Sequence, residues 1–84
     1  MPASKLPENE LIARFERRLE EETGSAADLA NRARLMLGLT PGHYYDLRSN
    51  RRELPFYLTQ SIRFAMLLEP AAFVAMAKKG AEEF

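Results

Sequence analysis

The chain has 84 residues, 46% of them hydrophobic, and carries 12 basic against 12 acidic side chains and one histidine, so its formal net charge is zero. That length supports one domain with one small core, and neutrality argues against indiscriminate binding to polyanions. With no cysteine the chain can build neither a disulfide framework nor a thiolate metal site. No apolar run approaches the roughly 18 residues that cross a bilayer, and no apolar signal core follows Lys5. The expectation is a soluble, cytoplasmic protein without cofactor or metal and with no membrane partner.

Residues 1–7 read as a flexible tail. Leu11, Ile12, Phe15 and Leu19 then recur at helical spacing and predict an amphipathic first helix to about Glu22. Its other face, with Arg14, Glu16, Arg17, Arg18, Glu20 and Glu21, reads as a solvated surface. Gly24 stops this helix, and Ser25 caps a second one expected from Ala26 to Leu37, with Asp28 in its first turn. Leu29, Ala33, Met36 and Leu37 would face the core. Gly38 follows, the residue type that enters the positive-φ conformation of a sharp turn at no steric cost. Thr40 can cap a third helix, from Pro41 to Ser49, in which a proline at the first position loses nothing by lacking an N–H. Asn50 would end it in a left-handed conformation.

A fourth helix is expected from Pro55 to Glu69. It is apolar nearly all round in its second half, which suits either a central helix or one with an extra face buried in a dimer. Pro70 breaks it and starts a fifth helix, on which Phe73, Met76 and Ala77 form an apolar stripe and Lys78 and Lys79 occupy the last turn before Gly80. Residues 81–84 are expected to fray. No segment alternates as a strand does. The fold class is therefore all-α, a compact bundle of about five short helices within residues 8–80, and helices two and three form a candidate helix-turn-helix. Residues 25–53 carry five basic and three acidic side chains, net +2, whereas residues 1–24 carry four basic and six acidic ones, net −2, so the positive part coincides with this pair of helices.

From Ala33 to Pro55 the sequence ARLMLGLTPGHYYDLRSNRRELP resembles the lambda-repressor-like (Xre/Cro-type) helix-turn-helix regulators, in particular their short phage and plasmid members. The resemblance covers residues 26 to 68 and places Ala33, Leu37, Leu39, Tyr44 and Leu47 on the buried positions that hold the helix pair. Arg34 departs from the alanine usual four residues before the turn glycine, which predicts looser packing or a register shifted by one. Pro41 and Gly42 stand where the recognition helix normally offers polar side chains.

The resemblance implies sequence-specific binding of double-stranded DNA by a small transcriptional regulator acting through operator occupancy. Helix three would enter the major groove, with Thr40, His43, Tyr45 and Asp46 nearest base edges. Arg48, Ser49, Asn50, Arg51 and Arg52 would contact the backbone, the two last arginines having a solvated loop as their alternative. A module this small calls for a homodimer, for which Phe64, Leu67, Leu68, Phe73 and Met76 are the candidate surface, unless they close the monomer's core. The second reading is a helical protein-interaction module, antitoxin-like or a phage-encoded inhibitor, with aromatic anchors such as Tyr44, Tyr45, Phe56 and Tyr57. An enzyme is not expected: His43, Tyr45 and Asp46 diverge around a short helix instead of converging in a pocket.

Overall fold

The computed structural model describes residues 7–83, and these form five helices: α1 (Glu10–Thr23), α2 (Leu29–Leu37), α3 (Pro41–Arg48), α4 (Phe56–Met66) and α5 (Pro70–Glu83). Residues 1–6 of the expected tail and Phe84 lie outside the described residues. α1 starts where Asn9 Oδ1 accepts the Ile12 N–H at 3.1 Å, satisfying one of the orphan donors of a helix N-terminus. It ends at Gly24, as the sequence predicts.

α2 begins at Leu29, three residues later than expected. The Ser25 hydroxyl accepts from Ala27 N–H, and the Arg32 guanidinium takes the carbonyls of Ser25 and Ala27, both at 2.8 Å. Those carbonyls are thereby held in an open turn instead of a first helical turn. α2 closes with the Leu39 N–H on the Arg34 carbonyl at 3.0 Å and the Gly38 N–H on the Leu35 carbonyl at 3.2 Å, around Gly38 at φ 71°. This is the Schellman arrangement, in which a left-handed residue satisfies the last carbonyls of a helix. Arg34, the departure from the alanine pattern, lies against the same turn: its Nη1 donates to the Leu39 carbonyl at 3.1 Å.

Thr40 caps α3 by accepting from the His43 N–H, with Pro41 at the first helical position. The far end repeats the bond pattern of α2. Asn50 stands at φ 63°, the Asn50 N–H bonds the Leu47 carbonyl and the Arg51 N–H the Asp46 carbonyl. α3 ends at Arg48, one residue short of the predicted Ser49.

α4 stops at Met66, short of the predicted Glu69. Glu69 precedes a proline and is sterically driven out of the helical region. A second cause lies on α1: the Arg18 guanidinium donates to the carbonyls of Ala65, Met66 and Leu68, at and just beyond the helix end, where acceptors lack a full set of intrahelical donors. The same guanidinium sits 4.5 Å above the Phe73 ring and pairs with Glu22 at 3.3 Å, so Arg18 belongs to no solvated face.

α5 continues through Gly80 to Glu83, so Lys78 and Lys79 lie in the helix interior and residues 81–83 are helical, not frayed. Gly80 is buried. A Cβ added there would stand 3.0 Å from the Met36 backbone nitrogen and 3.1 Å from the Leu35 carbonyl carbon. The residue read as a stop is therefore the point at which the backbones of α5 and α2 meet.

The core is built by Ile12, Phe15 and Leu19 from α1, Ala33 from α2, Tyr44 and Leu47 from α3, Leu58, Ile62 and Ala65 from α4, and Phe73 from α5. Phe73 meets Phe15 edge-on at 5.9 Å, an arrangement that aromatic quadrupoles favour. This corrects part of the expected dimer surface: Phe73 is fully buried, and Leu68 and Met76 pack half-buried against the same core. Phe64 and Leu67 alone of that set are exposed, because α4 is an outer helix and not a central one.

Candidate nucleic-acid interface

α3 turns Tyr44 and Leu47 into the core, as their three-residue spacing dictates. The Tyr44 hydroxyl donates to Glu16 Oε2 at 2.5 Å. Arg48 donates to the same carboxylate through Nε at 2.8 Å to Oε2 and through Nη2 at 3.1 Å to Oε1, a forked, charge-assisted pairing. Glu16 is only 4% exposed. Such a carboxylate is tolerated inside a protein because each oxygen has a donor, and one of the donors carries the compensating charge. Burial and the Glu16 carboxylate push the Tyr44 hydroxyl far above the ordinary tyrosine range, and the bond to Glu16 raises the Arg48 guanidinium further still.

The backbone adds a second hold. The N–H groups of Glu8 and Asn9 both donate to the Arg48 carbonyl, at 2.9 and 3.0 Å, and Asn9 Nδ2 reaches Asn50 Oδ1 at 3.2 Å. The N-terminal end of α1 thus grips the C-terminal end of α3 through side chains and main chain together.

The face of α3 turned away from the core carries Gly42, Tyr45 and Asp46, related by three and four residues. Thr40 and Pro41 are exposed at its start, and His43 is half-buried at its flank. Tyr45 stands edge-on to Tyr44 at 6.1 Å, with the Arg48 guanidinium 5.7 Å from its ring centre. Asp46 forms an ion pair with Arg51 at 3.2 Å.

Of the residues expected on a phosphate backbone, Asn50, Arg51 and Arg52 are exposed beside the end of α3. Arg48 is a correction. Its guanidinium is engaged with Glu16 beneath the surface, because burying that carboxylate requires a cation there. The Ser49 hydroxyl is turned back onto the Tyr45 carbonyl at 2.8 Å. The structure thus brings Asp46, Arg51 and Arg52 together at the end of α3, with Tyr45 on the same outer face and Thr40 exposed at the helix's other end, and engages Arg48 with Glu16 behind them.

Glu16 is the residue that reading the sequence missed. A signal was present: it lies four residues after Ile12 and three before Leu19, at the edge of the apolar arc of α1, where an unpaired carboxylate would be costly if buried.

Among the described residues no group of three His, Asp or Glu side chains is placed to hold a metal ion, and no helix is long and apolar enough to cross a membrane. Comparison with protein-family models, with curated proteins and with solved structures returns no match to this chain.

Proposed function

We propose that the protein binds double-stranded DNA through α3 and the loop that follows it, as a small regulator of the lambda-repressor-like helix-turn-helix kind acting by operator occupancy. The observation that carries this reading is α3 itself. It is joined to α2 by a tight turn at Gly38, its inner side is fixed to α1 by Glu16, and its outer side presents Tyr45 and Asp46 next to Arg51 and Arg52. A helix held this firmly can enter a major groove without first being ordered, which lowers the entropic cost of binding.

The outer face is short of base-reading groups. Gly42 offers bare backbone, and Asp46 is committed to Arg51 in the absence of DNA. Asp46 serves as a selectivity element: an approaching phosphate draws Arg51 away and leaves the carboxylate to accept from a cytosine amino group or to repel other bases. Arg51 and Arg52 supply sequence-independent affinity.

A second reading, a helical module that binds a protein partner, is supported by the exposed aromatics Phe56 and Tyr57, which follow that same loop. Salt separates the two. Purified protein is mixed with random genomic duplex fragments at two salt concentrations, and the retained fragments are sequenced. Enrichment of a defined site, with affinity falling steeply with salt, is the expected result. The double substitution Arg51→Ala with Arg52→Ala should weaken binding to all fragments and reduce the slope of log affinity against log salt by about two. No enriched site would transfer the assignment to the protein-interaction reading.

A further inference from the structure

α4 buries Leu58, Ile62 and Ala65 and turns a second apolar stripe outward. Phe56 is 76% exposed, Tyr57 62%, Phe64 69% and Leu67 82%. On a 3.6-residue period these four share one side of the helix with Gln60 at its middle, while the charge of Arg63 stands at the edge. Helix formation does not need large apolar side chains at those positions, and the monomer's core makes no use of them.

We infer that this outer face of α4 is the contact between two copies of the chain. An area argument favours a second copy. With aromatic side chains of roughly 150–250 Å² each, the four exposures leave on the order of 500 Å² of side-chain surface on each chain, at the upper end of what monomers leave uncovered. Two-fold pairing would bury about 1,000 Å² in all, the lower limit of a specific interface. The stripe is also self-matching. It contains no charged residue between Phe56 and Leu67 except Arg63 at its edge, so two identical faces meet without opposed charges at their centre, and a partner recognised by charge finds little to match. The pairing does not presuppose DNA binding.

Sedimentation equilibrium of the full chain without DNA tests the pairing. The expected result is the mass of two chains at micromolar concentration, with a dissociation constant that changes little with salt. Phe64→Ala should raise that constant about thirtyfold, the effect of losing one central anchor. Phe64→Asp should give single chains with an unchanged circular dichroism spectrum, because the side chain lies outside the core. The absence of cysteine supplies a second readout. Gln60→Cys should cross-link two chains rapidly with a short bifunctional thiol reagent, and Glu20→Cys on the exposed side of α1 should not. A single-chain mass at every concentration, a dimer untouched by Phe64→Asp, or equal cross-linking at the two positions would overturn the inference. Single chains that pellet with phosphatidylcholine vesicles would likewise overturn it, giving the stripe to a lipid surface. The selection experiment with DNA is scored separately, by whether a site is enriched, so failure of the pairing and failure of the DNA reading are distinguishable.

Discussion

Two helices are attached to the rest of the bundle in opposite ways. α5 lies against α2 through apolar and small side chains, with Gly80 allowing the two backbones to touch. α3 buries Tyr44 and Leu47 in the core and is tied to α1 by polar groups as well: one carboxylate with two side-chain partners, reinforced by two backbone bonds to a single carbonyl. The first attachment depends on shape, and any added atom disturbs it. The second depends on completeness, and any missing partner leaves a buried charge without compensation. Shape fixes how near two helices come; a forked ion pair also fixes how a helix is rotated about its own axis, which matters for a helix whose outer face must be aimed.

The polar attachment is disrupted most directly at Glu16. Glu16→Ala should cost about 3–5 kcal/mol in a urea unfolding experiment, since the Arg48 guanidinium and the Tyr44 hydroxyl both lose their buried acceptor. If completeness is what matters, Glu16→Met combined with Tyr44→Phe and Arg48→Met should recover much of that loss. A triple variant weaker than the single one would show that the polar contacts are net stabilising in themselves.

At the other seam, Gly80→Ala should destabilise by about 1–3 kcal/mol, the usual effect of overpacking. Alanine's helix propensity alone would stabilise by about 1 kcal/mol, so the sign of the change decides between the two effects. The atoms met by the new methyl belong to the backbone of α2, which has little freedom to move aside.

A third, smaller effect is read with pH. The unfolded chain releases the Tyr44 proton near pH 10, while the folded chain retains it because burial and Glu16 raise its pKa. The unfolded state therefore binds fewer protons above that point, and stability falls as pH rises, by up to about 1.4 kcal/mol per pH unit. Below the unfolded value this contribution is fully present. Tyr44→Phe should flatten that part of the alkaline slope, measured by urea midpoints between about pH 8 and about pH 11. An unchanged slope would mean that Tyr44 is deprotonated without cost.

The smallest effect is expected on the surface. Arg51→Ala breaks an exposed ion pair with Asp46 and should change stability by less than about 1 kcal/mol, although it removes one of the proposed phosphate contacts.

These regions also differ in how far the sequence reveals them. The turn at Gly38, the Thr40 cap, the left-handed Asn50 and the break at Pro70 are local matters of backbone geometry, and each is legible in two or three residues. The apolar side of α1 follows from spacing alone, and that of α3 from the resemblance, which puts Tyr44 and Leu47 on buried positions. The clamp does not, because Glu16 and Arg48 are 32 residues apart and only the fold brings them together. Gly80 mimics a helix stop for the same reason: its purpose lies on α2. Arg18 reaches carbonyls at the end of α4 from as far as 50 residues away, a tertiary contact that no local pattern announces, whereas the late start of α2 is a local matter, set by Arg32 bonding carbonyls five and seven residues before it.

Arg18 and Glu16 stand on one helix, two residues apart, and reach in different directions: Arg18 to the end of α4 and the ring of Phe73 on α5, Glu16 to α3. α1 is therefore the hub of the molecule, and local opening of α1 would release α3, α4 and α5 at once. Hydrogen-bonded amide protons in the middle of α1 should accordingly exchange only through global unfolding, so that this small protein opens in a single step and not helix by helix.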